Sequence, residues 1–253
     1  MNLDPNLLFP KEDSWITYYF DTNYYAKTSS IFDIDGTLFR SSLLIELVEE
    51  LVGTGVFPAA AQVGYTAAHA AWQAREGTYE AYIAAVIDTF LTHLKGVHYG
   101  ALADVGRRLV AVKSKRVNRF TRDYVRELKA EGYMLIAISQ SPKTILDEFC
   151  RQYGFDKVYG RMYEIGPSDC FTGAVIDEYL IENKANIVKR VFDRYPELTR
   201  EGSIAVGDTD GDISLLEMVD RPICFNPNQA LLDHAKRQGW EVVVERKDVV
   251  YRL

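Results

Sequence analysis

Ser29-Ser30-Ile31-Phe32-Asp33-Ile34-Asp35-Gly36-Thr37-Leu38 is the stretch on which the reading of this chain turns. A short apolar run that ends at Asp and Gly reads as a buried strand with a loop at its carboxyl end. Asp33 and Asp35 stand two apart at that end, so their side chains point the same way. Two carboxylates side by side repel unless a cation or a shared proton lies between them. Gly36 permits a sharp exit from the strand. Taken alone, these residues also describe an ordinary polar loop.

Downstream, the pattern changes character. Leu43, Leu44, Leu47, Val48 and Leu51 recur at helical spacing, and an Ala-rich stretch from Ala59 to Thr92 has helical habit. Residues 41–117 therefore read as an all-helical insertion. From Asn118 onward, strands and helices alternate. Strands are expected at Met134–Ser139, Lys157–Tyr163, Phe171–Asp177, Ser203–Val206, Pro222–Phe225 and, last, Trp240–Val244. Helices are expected at 118–131, 142–153, 183–195, 212–219 and 229–238. That alternation predicts an α/β fold with a doubly wound parallel sheet, with ligands beyond the carboxyl ends of the strands. The implied organisation is an extension over 1–28, a core over 29–40 and 118–253, and the insertion at 41–117.

Three further signals fall where expected strands end. Ser139 closes the run Leu135-Ile136-Ala137-Ile138. Its hydroxyl, beside the amides of a helix start, suits a phosphate oxygen, and equally a helix cap. Lys184 opens a helix, where the helix dipole disfavours a cation. An anion nearby would explain it, and a solvated surface lysine would not need one. Gly207-Asp208-Thr209-Asp210-Gly211-Asp212 follows a strand and carries three acids in five positions. It fails as an EF-hand loop: Ile213 stands where that loop needs Gly, and Val219 where it needs a bidentate Glu. A cation site shared with Asp33 and Asp35 is the better reading, and magnesium favours such a small carboxylate set.

Together these residues resemble the haloacid dehalogenase superfamily of phosphohydrolases. Asp33-Ile34-Asp35-Gly36-Thr37 is similar to its first motif, Ser139 to its second, Lys184 to its third, and Gly207-Asp208 with Asp212 to its fourth. Phe171-Thr172-Gly173 and the segment after Asp212 look like the phosphoserine-phosphatase-like branch, as does a helical cap directly after the first motif.

The resemblance implies a Rossmann-like core and a magnesium-dependent phosphomonoesterase. Asp33 would be the nucleophile and form an aspartyl-phosphate. Asp35 would be the acid and base, which suits ester hydrolysis rather than loss of halide. Magnesium would be held by Asp33, the backbone carbonyl of Asp35, and Asp208. Ser139, Lys184, Gly36 and Thr37 are the phosphate-binding candidates, with Thr37 also tying its loop. Asp212 would support the magnesium waters or orient Lys184. A phosphotransferase or phosphomutase would use the same intermediate, and a non-catalytic phosphate-binding scaffold would keep the fold alone.

Substrate choice would rest with the cap. Phosphoserine phosphatases carry a cap Glu soon after the first motif for the substrate amine, and an Arg for its carboxylate. Here the nearby positions read Arg40-Ser41-Ser42-Leu43 and the first acid is Glu46, so phosphoserine is one substrate among several. Arg40 or Arg75 could meet a carboxylate. His69, Trp72, Tyr79 and Tyr82 either line the cavity or pack as helix core.

The bulk numbers are compatible with this. The 253-residue chain carries a formal net charge of −7, which argues against a general phosphate-backbone binder and leaves a local anion pocket open. Three widely spaced cysteines point to reduced thiols in a cytoplasm rather than a disulfide framework or zinc set. Neither a secretory leader nor a membrane-length apolar run is expected. The aromatic cluster Trp15, Tyr18, Tyr19, Phe20, Tyr24 and Tyr25 suggests a covered surface, as in a homodimer.

Overall fold

The structure, a computed structural model, describes residues 27–253. The aromatic segment 15–25, and with it the dimer expectation, lies outside the described residues.

Among the described residues eight strands form, in chain order: β1 (Lys27–Asp33), β2 (Met134–Pro142), β3 (Lys157–Ile165), β4 (Phe171–Ile176), β5 (Leu198–Gly207), β6 (Arg221–Phe225), β7 (Glu241–Arg246) and β8 (Val249–Arg252). They make one sheet in the order β4-β3-β2-β1-β5-β6-β7-β8. The six inner strands run parallel, and β4 and β8 are antiparallel edges. The chain builds outward from β1 to β3, then returns to place β5 on the other side of β1. That reversal opens a crevice at the carboxyl ends of β1 and β5, where α/β sheets bind ligands.

Alternation along β1 shows why both sheet faces are covered. Phe32 joins a cluster with Val125, Leu128, Leu146 and Phe149, whereas Ile31 joins Val188, Val191 and Leu231 on the other side. Those partners come from α5 (Arg119–Ala130) and α6 (Lys143–Gln152) on one face, and from α8 (Lys184–Arg194) and α10 (Gln229–Gln238) on the other. The parallel strands are buried on both sides and so read as continuous apolar runs.

Between β1 and α5 lie four further helices: α1 (Leu43–Gly53), α2 (Val63–Gln73), α3 (Tyr79–Leu94) and α4 (Tyr99–Lys113). The expected Ala59–Thr92 run is broken at 74–78. Arg75 there has φ 64°, and the Thr78 side chain accepts from the Ala81 amide at 3.1 Å to start α3. The insertion shares one hydrophobic cluster with the core: Leu47 of α1, Phe57 of the following loop and Phe90 of α3 join Phe32 and Phe149. Each such buried side chain contributes about 1.5–3 kcal/mol.

Three elements differ from the sequence expectation. The helix expected over 212–219 is a 3₁₀ turn, Asp210–Asp212, followed by the single turn α9 (Ile213–Leu216), because Asp212 bonds the chain around itself. The short α7 (Glu178–Glu182) and the strand β8 are additions. Both are only four or five residues long and mostly exposed, so neither carries a clear period. Among the described residues, no helix is long and apolar enough to cross a membrane. All three cysteines are free, with Cys150 and Cys224 buried.

Candidate active site

The four strand-end signals meet at the crevice beside β1. Asp33 is its last residue and is buried, and Asp208 directly follows β5. Lys184 begins α8, with Asn183 as its cap accepting from the Ala185 amide at 3.0 Å. Its ammonium is buried and donates to Asp33 Oδ1 and to Asp212 Oδ1, each at 2.5 Å. Burial works against the lysine's charge, but Asp212 and Asp33 more than offset it and raise its pKa. A lysine that disfavours its helix dipole is thus held by two carboxylates, and the surface-lysine alternative is excluded.

Asp33, Asp208 and Asp212 bring ligand atoms within 4.8 Å of one another. One ammonium stands among three carboxyl groups, so full ionisation would leave two negative charges in excess. Burial pushes the Asp33 carboxyl up to about 7, opposed by Lys184 and reinforced by Asp212 and Asp35. Burial, then the charges of Asp33 and Asp212, likewise hold Asp208 well above the ordinary carboxylate range. Asp33 Oδ2 is buried and has no hydrogen-bond partner among the described residues.

The loop after β1 is shaped to admit this cluster. Gly36 has φ +87°, and a Cβ on it would lie 2.1 Å from Asp208 Oδ2. Both the backbone conformation and the close approach therefore demand glycine. Thr37 Oγ1 donates to Asp208 Oδ1 at 3.1 Å, tying the β1 loop to the β5 loop. The Thr37 carbonyl accepts from Asn118 Nδ2 at 2.8 Å and from Thr121 Oγ1 at 2.9 Å, which anchors the loop to α5. Asp212 Oδ2 accepts from the amides of Asp208 and Thr209, each at 3.1 Å. Asp212 therefore both folds its own loop and holds Lys184. Asp210 lies outside the carboxylate cluster and accepts from Asn228 Nδ2 at 2.7 Å.

Asp35 is set apart from that cluster. Its Oδ2 accepts from the hydroxyls of Ser139 and Ser141, the latter at 2.8 Å, and its Oδ1 from the Leu43 amide at 2.5 Å. Burial raises its pKa and these three donors pull it back, with a net rise. The Ser139 hydroxyl, expected at phosphate, here holds Asp35 and accepts from the Ser141 amide at 2.9 Å. Ser141 escaped the sequence reading. Its signal was available: Ser139 and Ser141 stand two apart at a strand end, the same spacing that singled out Asp33 and Asp35.

Above these residues opens a cleft of about 1000 Å³. Asp33, Asp35, Gly36, Lys184 and Asp208 form its floor, and residues of α1, α2 and α3 line it together with β3. His69, Trp72, Tyr79 and Tyr82 are among the lining residues and also pack on one another, so the two sequence alternatives hold together. Tyr82 stacks on His69 at 4.7 Å and on Trp72 at 5.5 Å between ring centroids. Glu46 is not free for a ligand: it is buried, paired with Lys113 and with Arg116 at 2.7 Å. Arg40 lines the cleft and Arg75 does not. Arg161 of β3 lines it too and was not singled out from the sequence.

The chain is similar to known proteins in sequence and fold. The profile of the haloacid dehalogenase-like hydrolase family matches residues 31–217, and the chain belongs to that family. It is an enzyme of the hydrolase class and phosphoserine-phosphatase-like within it. A phosphoserine phosphatase of Archaeoglobus fulgidus is 26% identical over 208 residues, 81% of this chain and 54% of that protein, so the chain spans about half of that relative. A histidinol-phosphatase of Neisseria meningitidis serogroup C is 26% identical over 227 residues, 86% of this chain and 98% of that protein. A crystal structure of a protein of unknown function from Bordetella pertussis Tohama I has a TM-score of 0.68 at 22% identity. That match covers 86% of this chain and 98% of the other.

Proposed function

We propose that this chain is a magnesium-dependent phosphomonoesterase acting on a small phosphorylated metabolite through an aspartyl-phosphate on Asp33. The observation that carries the reading is the carboxylate cluster at the β1–β5 crevice. Fully ionised, it would carry two negative charges in excess, and its buried Asp33 Oδ2 has no partner among the described residues.

A divalent cation fits that cluster by charge and by ligand type. Asp33 and Asp208, with the Asp35 carbonyl, would hold it, and Asp212 would support them. When bound, it supplies positive charge that lets a carboxylate approach a phosphate dianion.

The rest of the chemistry belongs to the chain. Asp33 forms a bond to phosphorus as the ester oxygen leaves. Asp35, whose burial favours the protonated form, gives that oxygen its proton. A water then attacks the phosphorus of the acyl phosphate, Asp35 takes its proton, and the bond to Asp33 breaks. Lys184 holds the phosphoryl oxygens, joined by Ser139 when phosphate displaces its bond to Asp35, while Gly36 and Thr37 shape the loop against the phosphoryl group. Residues 41–117 act as a cap over the core, 29–40 and 118–253, and choose the substrate.

Phosphoserine and histidinol phosphate, the substrates in the two relatives' names, are the first esters to offer. The test is phosphate release from a panel of phosphomonoesters with and without magnesium, beside Asp33→Asn. Cation-dependent release that disappears in the variant supports the reading, and release independent of Asp33 sinks it. Added alcohols that capture the phosphoryl group would move the assignment to a phosphotransferase.

A further inference from the structure

Strand β3 brings a charged residue into the cleft that none of the four motifs explains. Arg161 lies opposite Pro142 in the β2–β3 register, beside the strand end that carries Ser139 and Ser141. It lines the same cleft as Asp33, Asp35 and Lys184. Gly160 fixes its place. A Cβ there would lie 2.5 Å from Leu146 Cδ1 and 3.0 Å from the Ser141 carbonyl oxygen, so β3 reaches this close to β2 and α6 only with glycine.

The guanidinium is poorly matched inside the protein. Its Nη2 donates to Gln140 Oε1 at 3.4 Å, a long bond to a neutral acceptor. Its Nε is buried and donates to no group among the described residues. Lys113 and Arg116, which also line the cleft, are both committed to Glu46, and Lys184 to Asp33 and Asp212. Neither Arg161 nor Arg40 has such a carboxylate partner among the described residues, but Arg40 is exposed, whereas the Arg161 Nε is buried. Its neighbour on the same face of the strand, Tyr163, is half-buried against Phe90, so one wall beside the charge is apolar. A desolvated donor left unpaired is costly, and a guanidinium fork matches an oxyanion with two parallel bonds.

The scissile phosphoryl group already has Lys184 and the Ser139 strand end. We infer that Arg161, assisted by Gln140, forms a subsite for a second oxyanion on the organic half of the substrate, a carboxylate or a further phosphate. This rests on the phosphomonoesterase reading and deepens it. It also separates the two relatives' named substrates, because phosphoserine carries a carboxylate and histidinol phosphate does not.

The test compares esters that differ in that one group, using the full chain with magnesium. Phosphoserine is set against phosphoethanolamine, phosphoglycerate against glycerol phosphate, and a sugar bisphosphate against the monophosphate. The first two pairs report a carboxylate and the third a second phosphate. Wild type is expected to prefer the anionic member of at least one pair. Arg161→Gln should lower kcat/KM for that member by about 10- to 100-fold, mostly through KM, and change its neutral counterpart by about twofold or less. Arg161→Lys should restore part of the loss. A wild type with no preference in any pair overturns the inference without need of a variant. So does an Arg161→Gln variant that weakens both members of the preferred pair equally. Failure of wild type to hydrolyse any phosphomonoester is a different result, and it defeats the phosphatase reading itself.

Discussion

In the α/β core, three buried or half-buried carboxylates, Asp33, Asp208 and Asp212, share the single ammonium of Lys184. In the helical insertion the proportion is reversed: the buried carboxylate of Glu46 is met by both Lys113 and Arg116. In the insertion the carboxylate is more than matched by cations within the protein, and these pairs tie the end of α4 to the start of α1. In the core, by contrast, burial pushes Asp33 up to about 7 against the charge of Lys184, and the cluster has no further cation among the described residues. Unsatisfied buried charge points to chemistry, and satisfied buried charge points to architecture.

The contrast is most sharply tested at Asp33. Asp33→Asn keeps the shape and a hydrogen-bond acceptor for Lys184 but removes the nucleophile. It should lower kcat by about a thousandfold or more, measured by phosphate release. Activity within tenfold of wild type would end the distinction between the two regions.

The next effect is on cation binding. With magnesium at about a hundred times its dissociation constant, wild type should gain roughly 2.7 kcal/mol of stability, read as a rise in Tm. Asp208→Asn should lose most of that gain. Chelation should return wild type to its metal-free Tm and abolish turnover. An undiminished gain in the variant would move the site away from the β1–β5 crevice.

Glu46→Gln probes the other side of the comparison. Removing this buried charge leaves Lys113 and Arg116 without their partner, and both are partly exposed, with side-chain exposures of 34% and 53%. The cost should be about 1–3 kcal/mol in a denaturant titration, with kcat/KM changed only severalfold. A large rise in KM with unchanged stability would instead make Glu46 a ligand for substrate.

The smallest effect is expected where the core holds a satisfied charge. Asp156 accepts from Lys129 Nζ and from the Leu135 amide, each at 2.8 Å. Burial acts to raise its pKa, but these bonds outweigh it and lower the folded-state value. Its contribution is therefore complete above the unfolded value of about 3.9 and is lost as the pH falls through the lower folded value. With partial exposure allowed for, that contribution is roughly 0.5–1 kcal/mol. Asp156→Asn should remove it and flatten the acid limb of the stability curve, with kcat unchanged.

The two regions also differ in how much of them could be read from sequence. The strand-end residues Asp33, Asp35, Ser139 and Asp208 were legible because a motif at a strand terminus fixes both position and direction, and Lys184 because a lysine at a helix start is out of place against the dipole. Their mutual arrangement was less so. That Ser139 serves Asp35, and that Asp212 closes its own loop while gripping Lys184, depends on contacts between segments far apart in the chain. A doubly wound parallel sheet followed from alternation, but β8 did not, since a four-residue edge strand held by a hairpin has too few buried positions to show a period. The cleft was the least legible part. Arg161 belongs to β3, not to a motif, and its significance comes from what fails to pair with it. The aromatic residues of α2 and α3 gave the helical spacing of a core, and only packing shows that they also form a wall of the cleft.

The most direct test of the central claim is to stop turnover with acid under saturating substrate and magnesium, then locate any covalent phosphoryl group by peptide mass measurement. The account predicts one phosphoryl group on the peptide carrying Asp33, chased away as substrate is exhausted and absent from Asp33→Asn. A phosphoryl group trapped on a different residue, or steady turnover retained by Asp33→Asn, would contradict it.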